Sequence, residues 1–211
     1  MALVTIRLQG EAGSVSYLVM TDPTNHDPAI AHFDEIILPA IESYFEAENC
    51  LSSAVQAGDE KVINTTRLMV MRTARTAAIE LHQFSDRVAK LCPAWGPGHG
   101  QSVEQVRQWL RVVHAAAISS DRSDEVLVLQ DIADAMKHAQ LDHAPRGRER
   151  FVDTDKAVLF FGSGFGEFGF GEAKYGGVEQ VMVVQSDGTK RLLSSTLDIV
   201  KSAWLRAMGR D

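Results

Sequence analysis

Between positions 29 and 91 apolar residues recur every three or four places, and only a glycine–aspartate pair interrupts them. Phe33, Ile37, Ile41, Tyr44, Leu51 and Val55 mark the first run. Val62, Thr66, Met69, Thr73, Ala77, Leu81, Phe84 and Val88 mark the second. This period belongs to helices that bury one stripe. Gly58 supplies a stop and Asp59 a cap. The spacing therefore predicts two long helices, about 29–57 and 60–91, joined tightly enough to pack antiparallel. Asp27-Pro28 reads as the cap and first turn of the first helix. Pro39 lies inside that run and either kinks the helix or begins it. Thr65, Thr66, Thr73, Ala74, Thr76, Ala77 and Ala78 make the second helix one that a neighbour can approach closely.

The segment 92–100 (CPAWGPGHG) breaks the pattern. Ser102 then caps a third helix, with Gln105 completing a capping box. Val103, Val106, Leu110, Val113 and Ala117 form its seam. Asp121 or Ser123 opens a fourth helix, which Pro145 ends. Its stripe is Val126, Leu129, Ala133 and Met136. At the front of the chain Val4, Ile6 and Leu8, then Val15, Tyr17 and Val19, alternate with other residues around a glycine-bearing turn, the pattern of a β-hairpin. Behind the bundle the period changes again. The run 157–161 is of strand length, and 178–185 and 190–193 flank Asp187-Gly188, a hairpin turn. Ser195 begins a closing helix with Leu197, Val200, Trp204, Ala207 and Met208 on one face and Gly209 as its stop.

The expected fold is thus α+β, mainly α: a four-helix bundle of two long antiparallel helices plus two shorter ones, with an N-terminal β-hairpin and a C-terminal β unit closed by a helix. We read 1–211 as a single domain, with hairpin and loop at 1–28, bundle at 29–143 and β-rich unit at 151–211. The terminal hairpin is a candidate to join the C-terminal sheet.

The net charge of −7 argues against a non-specific duplex-DNA binder. Two cysteines, Cys50 and Cys92, make neither a disulfide framework nor a zinc site and read as reduced core thiols. The first residues lack the charged and apolar regions of a signal peptide, and no window has the apolar length of a membrane span. A cytoplasmic protein is expected, without membrane attachment. His26, Asp27, His32 and Asp34 match no metal-ligand spacing, so no metal or cofactor is expected. Residues 164–169 match G-x-G-x-x-G, but the glycines that follow do not open a helix, and no βαβ unit surrounds them. The Phe/Gly stretch 162–177 reads instead as an exposed loop or a docking patch.

Two places carry candidate chemistry. In 124–143, Asp131, Asp134, His138 and Asp142 line one side of the fourth helix, and Asp134 sits one turn before His138. A carboxylate there orients an imidazole and raises its proton affinity. Next to it Lys137, His138, Arg146, Arg148 and Arg150 form the one locally basic region, suited to RNA or another phosphate-bearing ligand. The second place is Arg75 and His82, two turns apart on one face of the second long helix; Arg107 and His114 repeat the spacing. An Arg, four to six intervening residues and a His in a helical bundle resembles the signature of the HEPN superfamily. Thr76 and Gln108 follow the arginines, where that family usually has Asn or Asp. The likeness covers about 30–143, and 131–141 is also similar to segments of uncharacterised bacterial helical proteins loosely associated with the group.

The resemblance implies a bundle, often dimeric, that is either a metal-independent ribonuclease or a non-catalytic member. In the ribonuclease case Arg75 would hold the scissile phosphate, and His82 or His138 would move the proton of the 2′-hydroxyl. The sequence leaves open whether the chain is an enzyme. The other expectation is a non-catalytic interaction or assembly protein, a homodimer acting through its bundle and Phe/Gly loop.

Overall fold

The computed structural model describes residues 27–137, 180–185 and 187–210, together with the backbone course of 2–8, 15–21 and 158–161. It is α+β and mainly helical. Strands β1 (Ala2–Leu8) and β2 (Val15–Thr21) pair antiparallel, with Leu8 opposite Val15. A separate sheet holds β3 (Val158–Phe161), β4 (Gln180–Val184) and β5 (Lys190–Leu192), antiparallel in the order β3-β4-β5. Among the described strands the terminal hairpin does not join the C-terminal sheet, a pairing that the sequence left open.

Helix α1 (Pro28–His32) begins where the sequence places it. Asp27 Oδ1 accepts from the Ala29 amide at 2.8 Å, and Pro28 fills the first turn. A π-helical turn, Phe33–Ile37, carries the chain into α2 (Leu38–Ala57). Pro39 has no N–H and its ring crowds the carbonyl one turn back. The wider turn just before it lets the helix continue rather than stop. Gly58, at φ 72°, ends α2. Asp59 then caps α3 (Glu60–Leu91) through the amides of Lys61 and Val62 at 3.0 and 3.2 Å.

The buried stripe of α3 is not quite the expected one. Thr66, Val70, Ala74, Ala77, Leu81, Phe84 and Val88 face inward, whereas Val62 and Met69 are exposed. Helix α4 (Val103–Trp109) has the full capping box of Ser102 and Gln105. A second π-helical turn, Leu110–Ala115, follows, then α5 (Ala116–Ile118) and a 3-10 turn, Ser120–Arg122. The π turn moves the inward phase forward, so Ala115 is buried after Leu110 while the expected Val113 is exposed. Helix α6 (Glu125–Lys137) buries Val126, Leu129, Ile132 and Ala133.

Helix α7 (Leu193–Ala207) joins the same core through Leu197, Val200, Ala203 and Trp204, and β4 adds Val181 and Val183. The four expected helices therefore share their core with the closing one. Trp204 is fully buried and meets Phe84 edge-on at 4.8 Å, with Trp95 and Trp109 each at 6.3 Å. Cys50 falls on the outer face of α2 and is exposed, so it is not a core thiol. Cys92 is half-buried at the left-handed end of α3 (φ 47°).

Candidate functional site

Arg75 and His82 share a face of α3, but the protein treats the two levels differently. At His82 the face is covered by α4; at Arg75 it is open. His82 is 7% exposed, and Arg75 lies in solvent. The expected pair is thereby split. The guanidinium that reaches His82 belongs to Arg107, on α4, from the other Arg/His spacing. Its Nη2 lies 3.3 Å from His82 Nε2 and donates to Asp86 Oδ1 at 3.1 Å. Glu104 Oε2 stands 3.8 Å from Nη1. An arginine can only donate, so His82 Nε2 is the acceptor and the ring proton sits on Nδ1.

Burial, then the positive charges of Arg107 and Lys137, push the His82 imidazole down to about 3. It is neutral at physiological pH, its lone pair is engaged, and the acidic imidazolium that protonates a leaving group is not formed. His114 lies edge-on to Trp109, with ring centroids 4.6 Å apart. The cluster His82–Arg107–Asp86 has the chemistry of a helix-to-helix fastener, with the arginine charge offset by two carboxylates.

No family model matches the chain, and neither a curated protein nor a solved structure does.

On its solvent side Asp86 borders an open cleft of about 550 Å³ between α1 and α3, lined also by His32, Glu80, Gln83, Arg87 and Lys90. The His32 ring stacks on Phe84 at 6.3 Å. Burial and the nearby Arg87 charge lower its proton affinity, with Glu80 and Glu35 acting against them. Two carboxylates, Glu80 and Asp86, and two cations, Arg87 and Lys90, line this cleft, so it selects no single charge.

Asp134 is half-buried on α6, as is Lys137. His138, and with it the Asp134–His138 pair, lies outside the described residues. So do Arg146, Arg148, Arg150 and the Phe/Gly stretch 162–177. Asp131, expected on a polar face beside Asp134, is fully buried. Asp27 and Asp34 are engaged elsewhere: Trp95 Nε1 donates to Asp27 Oδ2 at 2.6 Å, and Arg210 Nη1 donates to Asp34 Oδ1 at 2.6 Å. Among the described residues no group of three or more His, Cys, Asp or Glu is placed to hold a metal ion. No described helix is long and apolar enough to cross a membrane.

A second polar cluster has no counterpart in the sequence reading. Glu125, in the first turn of α6, is fully buried. It accepts from Arg122 Nε at 2.9 Å, from Arg191 Nη1 and from Thr196 Oγ1 at 2.6 Å. Arg122 Nη1 also donates to Ser195 Oγ at 2.6 Å, and Arg191 Nε to Gln185 Oε1 at 3.0 Å. This ties α6 to β5 and α7. Helix α7 begins at Leu193, two residues before the expected Ser195; its cap position is Leu192, whose side chain can neither donate nor accept, and the Ser195 hydroxyl is held by Arg122. The only sequence signal was a glutamate opening an apolar run, Glu125-Val126-Leu127-Val128-Leu129, in which neighbours on every side are buried.

Proposed function

We propose that this chain is a non-catalytic interaction protein: a HEPN-like bundle of two long antiparallel helices and two shorter ones, extended by the closing helix, that works by docking and assembly. One observation carries the reading. His82, one of the two histidines that the sequence offers for proton transfer, is buried under Arg107 and held neutral as an acceptor, while Arg75 stands apart in solvent. A ribonuclease of the metal-independent kind needs an imidazole that reaches the 2′-hydroxyl and exchanges protons near neutral pH. A ring whose lone pair is taken and whose protonation needs strong acid supports a structural role instead.

The test is cleavage of labelled single-stranded RNA in EDTA by wild type, His82→Gln and His138→Ala. The expected result is no cleavage above buffer by any of the three. Cleavage by wild type that a folded His82→Gln or His138→Ala protein loses would overturn the non-catalytic reading and place that histidine in an active site.

A further inference from the structure

The last third of α3 puts unlike charges on one side of the helix and leaves them unpaired. Glu80, Gln83, Arg87 and Lys90 follow one another at spacings of three and four, so they share a face, and all four line the cleft of about 550 Å³ between α1 and α3. A charge on a helix finds its partner three or four places away. Around Glu80 those places hold Thr76, Ala77, Gln83 and Phe84; around Arg87 they hold Gln83, Phe84, Lys90 and Leu91. No opposite charge stands among them. Lys90 has Asp86 one turn back, but that carboxylate accepts from Arg107 Nη2 at 3.1 Å. Among the described residues Glu80, Arg87 and Lys90 form no ion pair and no side-chain hydrogen bond.

The spacing of these charges selects a ligand. Glu80 and Arg87 are seven residues apart, about 10 Å along the helix axis. An anion is repelled at Glu80 and a cation at Arg87. A single amino acid carries its two charges too close together to meet both. An extended peptide spans about 3.5 Å per residue, so two or three residues with free ends bring an ammonium to one and a carboxylate to the other. Gln83 lies between them, exposed, with an amide that both donates to and accepts from a peptide group. Lys90, one turn beyond Arg87, adds a second cation at the carboxylate end. His32 lines the cleft from α1: its ring stacks on Phe84, and Glu80 and Arg87 both lie near enough to act on its proton affinity. Leu91, 41% exposed, adds an apolar surface at the cleft's end.

We infer that the cleft between α1 and α3 binds a short peptide of two or three residues with both termini free, its ammonium on Glu80, its backbone on Gln83 and its carboxylate on Arg87 and Lys90. The site goes beyond the docking reading and does not depend on it. An NMR titration of the 15N-labelled full chain with trialanine tests it. Saturable shifts centred on the amides of 80–91 are expected, with a Kd on the order of 1 mM or tighter. N-acetyl-trialanine and trialanine amide each lack one charge and should bind about tenfold more weakly. Glu80→Gln should weaken trialanine by about the same factor and leave N-acetyl-trialanine unchanged, while Arg87→Gln should weaken trialanine and leave trialanine amide unchanged. Circular dichroism checks that both variants, each a change on the helix surface to a good helix former, stay folded. Shifts that do not saturate, blocked peptides or free glycine that bind as well as trialanine, or variants that bind trialanine as wild type does would each overturn the inference.

Discussion

The two buried polar clusters solve opposite electrostatic problems. At His82 a group that could be charged is kept neutral beside an arginine, so burial costs little. At Glu125 a group with no exposed surface has two arginines and a threonine hydroxyl around it. The first cluster fastens α3 to α4; the second fastens α6 to β5 and α7. A buried ionisable group is tolerated either by discarding its charge or by surrounding it with partners. Each choice has its own signature under mutation and pH, and neither needs a substrate to explain it.

At neutral pH the largest expected effect is at Glu125. Glu125→Ala leaves two guanidinium groups facing each other across a buried gap and removes the acceptor for Thr196. It should cost about 3 kcal/mol, the lower end for a buried pair because both arginines keep some solvent contact. Replacing Glu125, Arg191 and Thr196 together by Leu, Met and Val should recover most of that loss. Urea unfolding of the single and triple variants measures both. A triple variant as unstable as the single one would mean that specific hydrogen bonds, not the uncompensated charges, dominate.

A second effect, absent at neutral pH and growing in acid, separates the first cluster from the second. The ordinary value for His82 is 6.5, and the folded protein holds it near 3. As pH falls below 6.5 the unfolded chain binds the proton first. The stability due to neutral His82 is therefore complete above 6.5 and is lost as pH drops towards 3, by about 1.4 kcal/mol per pH unit. His82→Gln keeps an acceptor for Arg107 but has no proton to gain. Its unfolding free energy should be flatter than that of wild type between those limits. Parallel curves for the two proteins would show that His82 is not buried neutral.

Much of the helical frame was legible because its signals are local. The bounds of α3, the Asp27 and Asp59 caps, the Ser102–Gln105 box and the Gly188 and Gly209 turns all rest on residues within one turn of each other. What the sequence hid came from tertiary packing or from a change of period. The π turn at 110–115 shifts the inward phase, so a strict helical count selected Val113 where Ala115 is buried. On α3 the count selected Val62 and Met69, yet the neighbours lie along Thr66, Val70 and Ala74. For the candidate site, the sequence named His82 and Arg107 but in different pairs. Which arginine meets the histidine depends on where α4 crosses α3, and no spacing within one helix records that. Glu125 was invisible for the same reason, since its partners come from β5 and α7.

The central claim is that His82 is a neutral structural acceptor and not a proton carrier. The most direct measurement is a 15N-detected NMR titration of its imidazole in the folded wild-type chain. The account predicts a single neutral tautomer, protonated at Nδ1, that persists from neutral pH down to the onset of acid unfolding. An imidazole that titrates near 6.5 in the folded protein, or one carrying its proton on Nε2 at neutral pH, would contradict it and return His82 to the list of catalytic candidates.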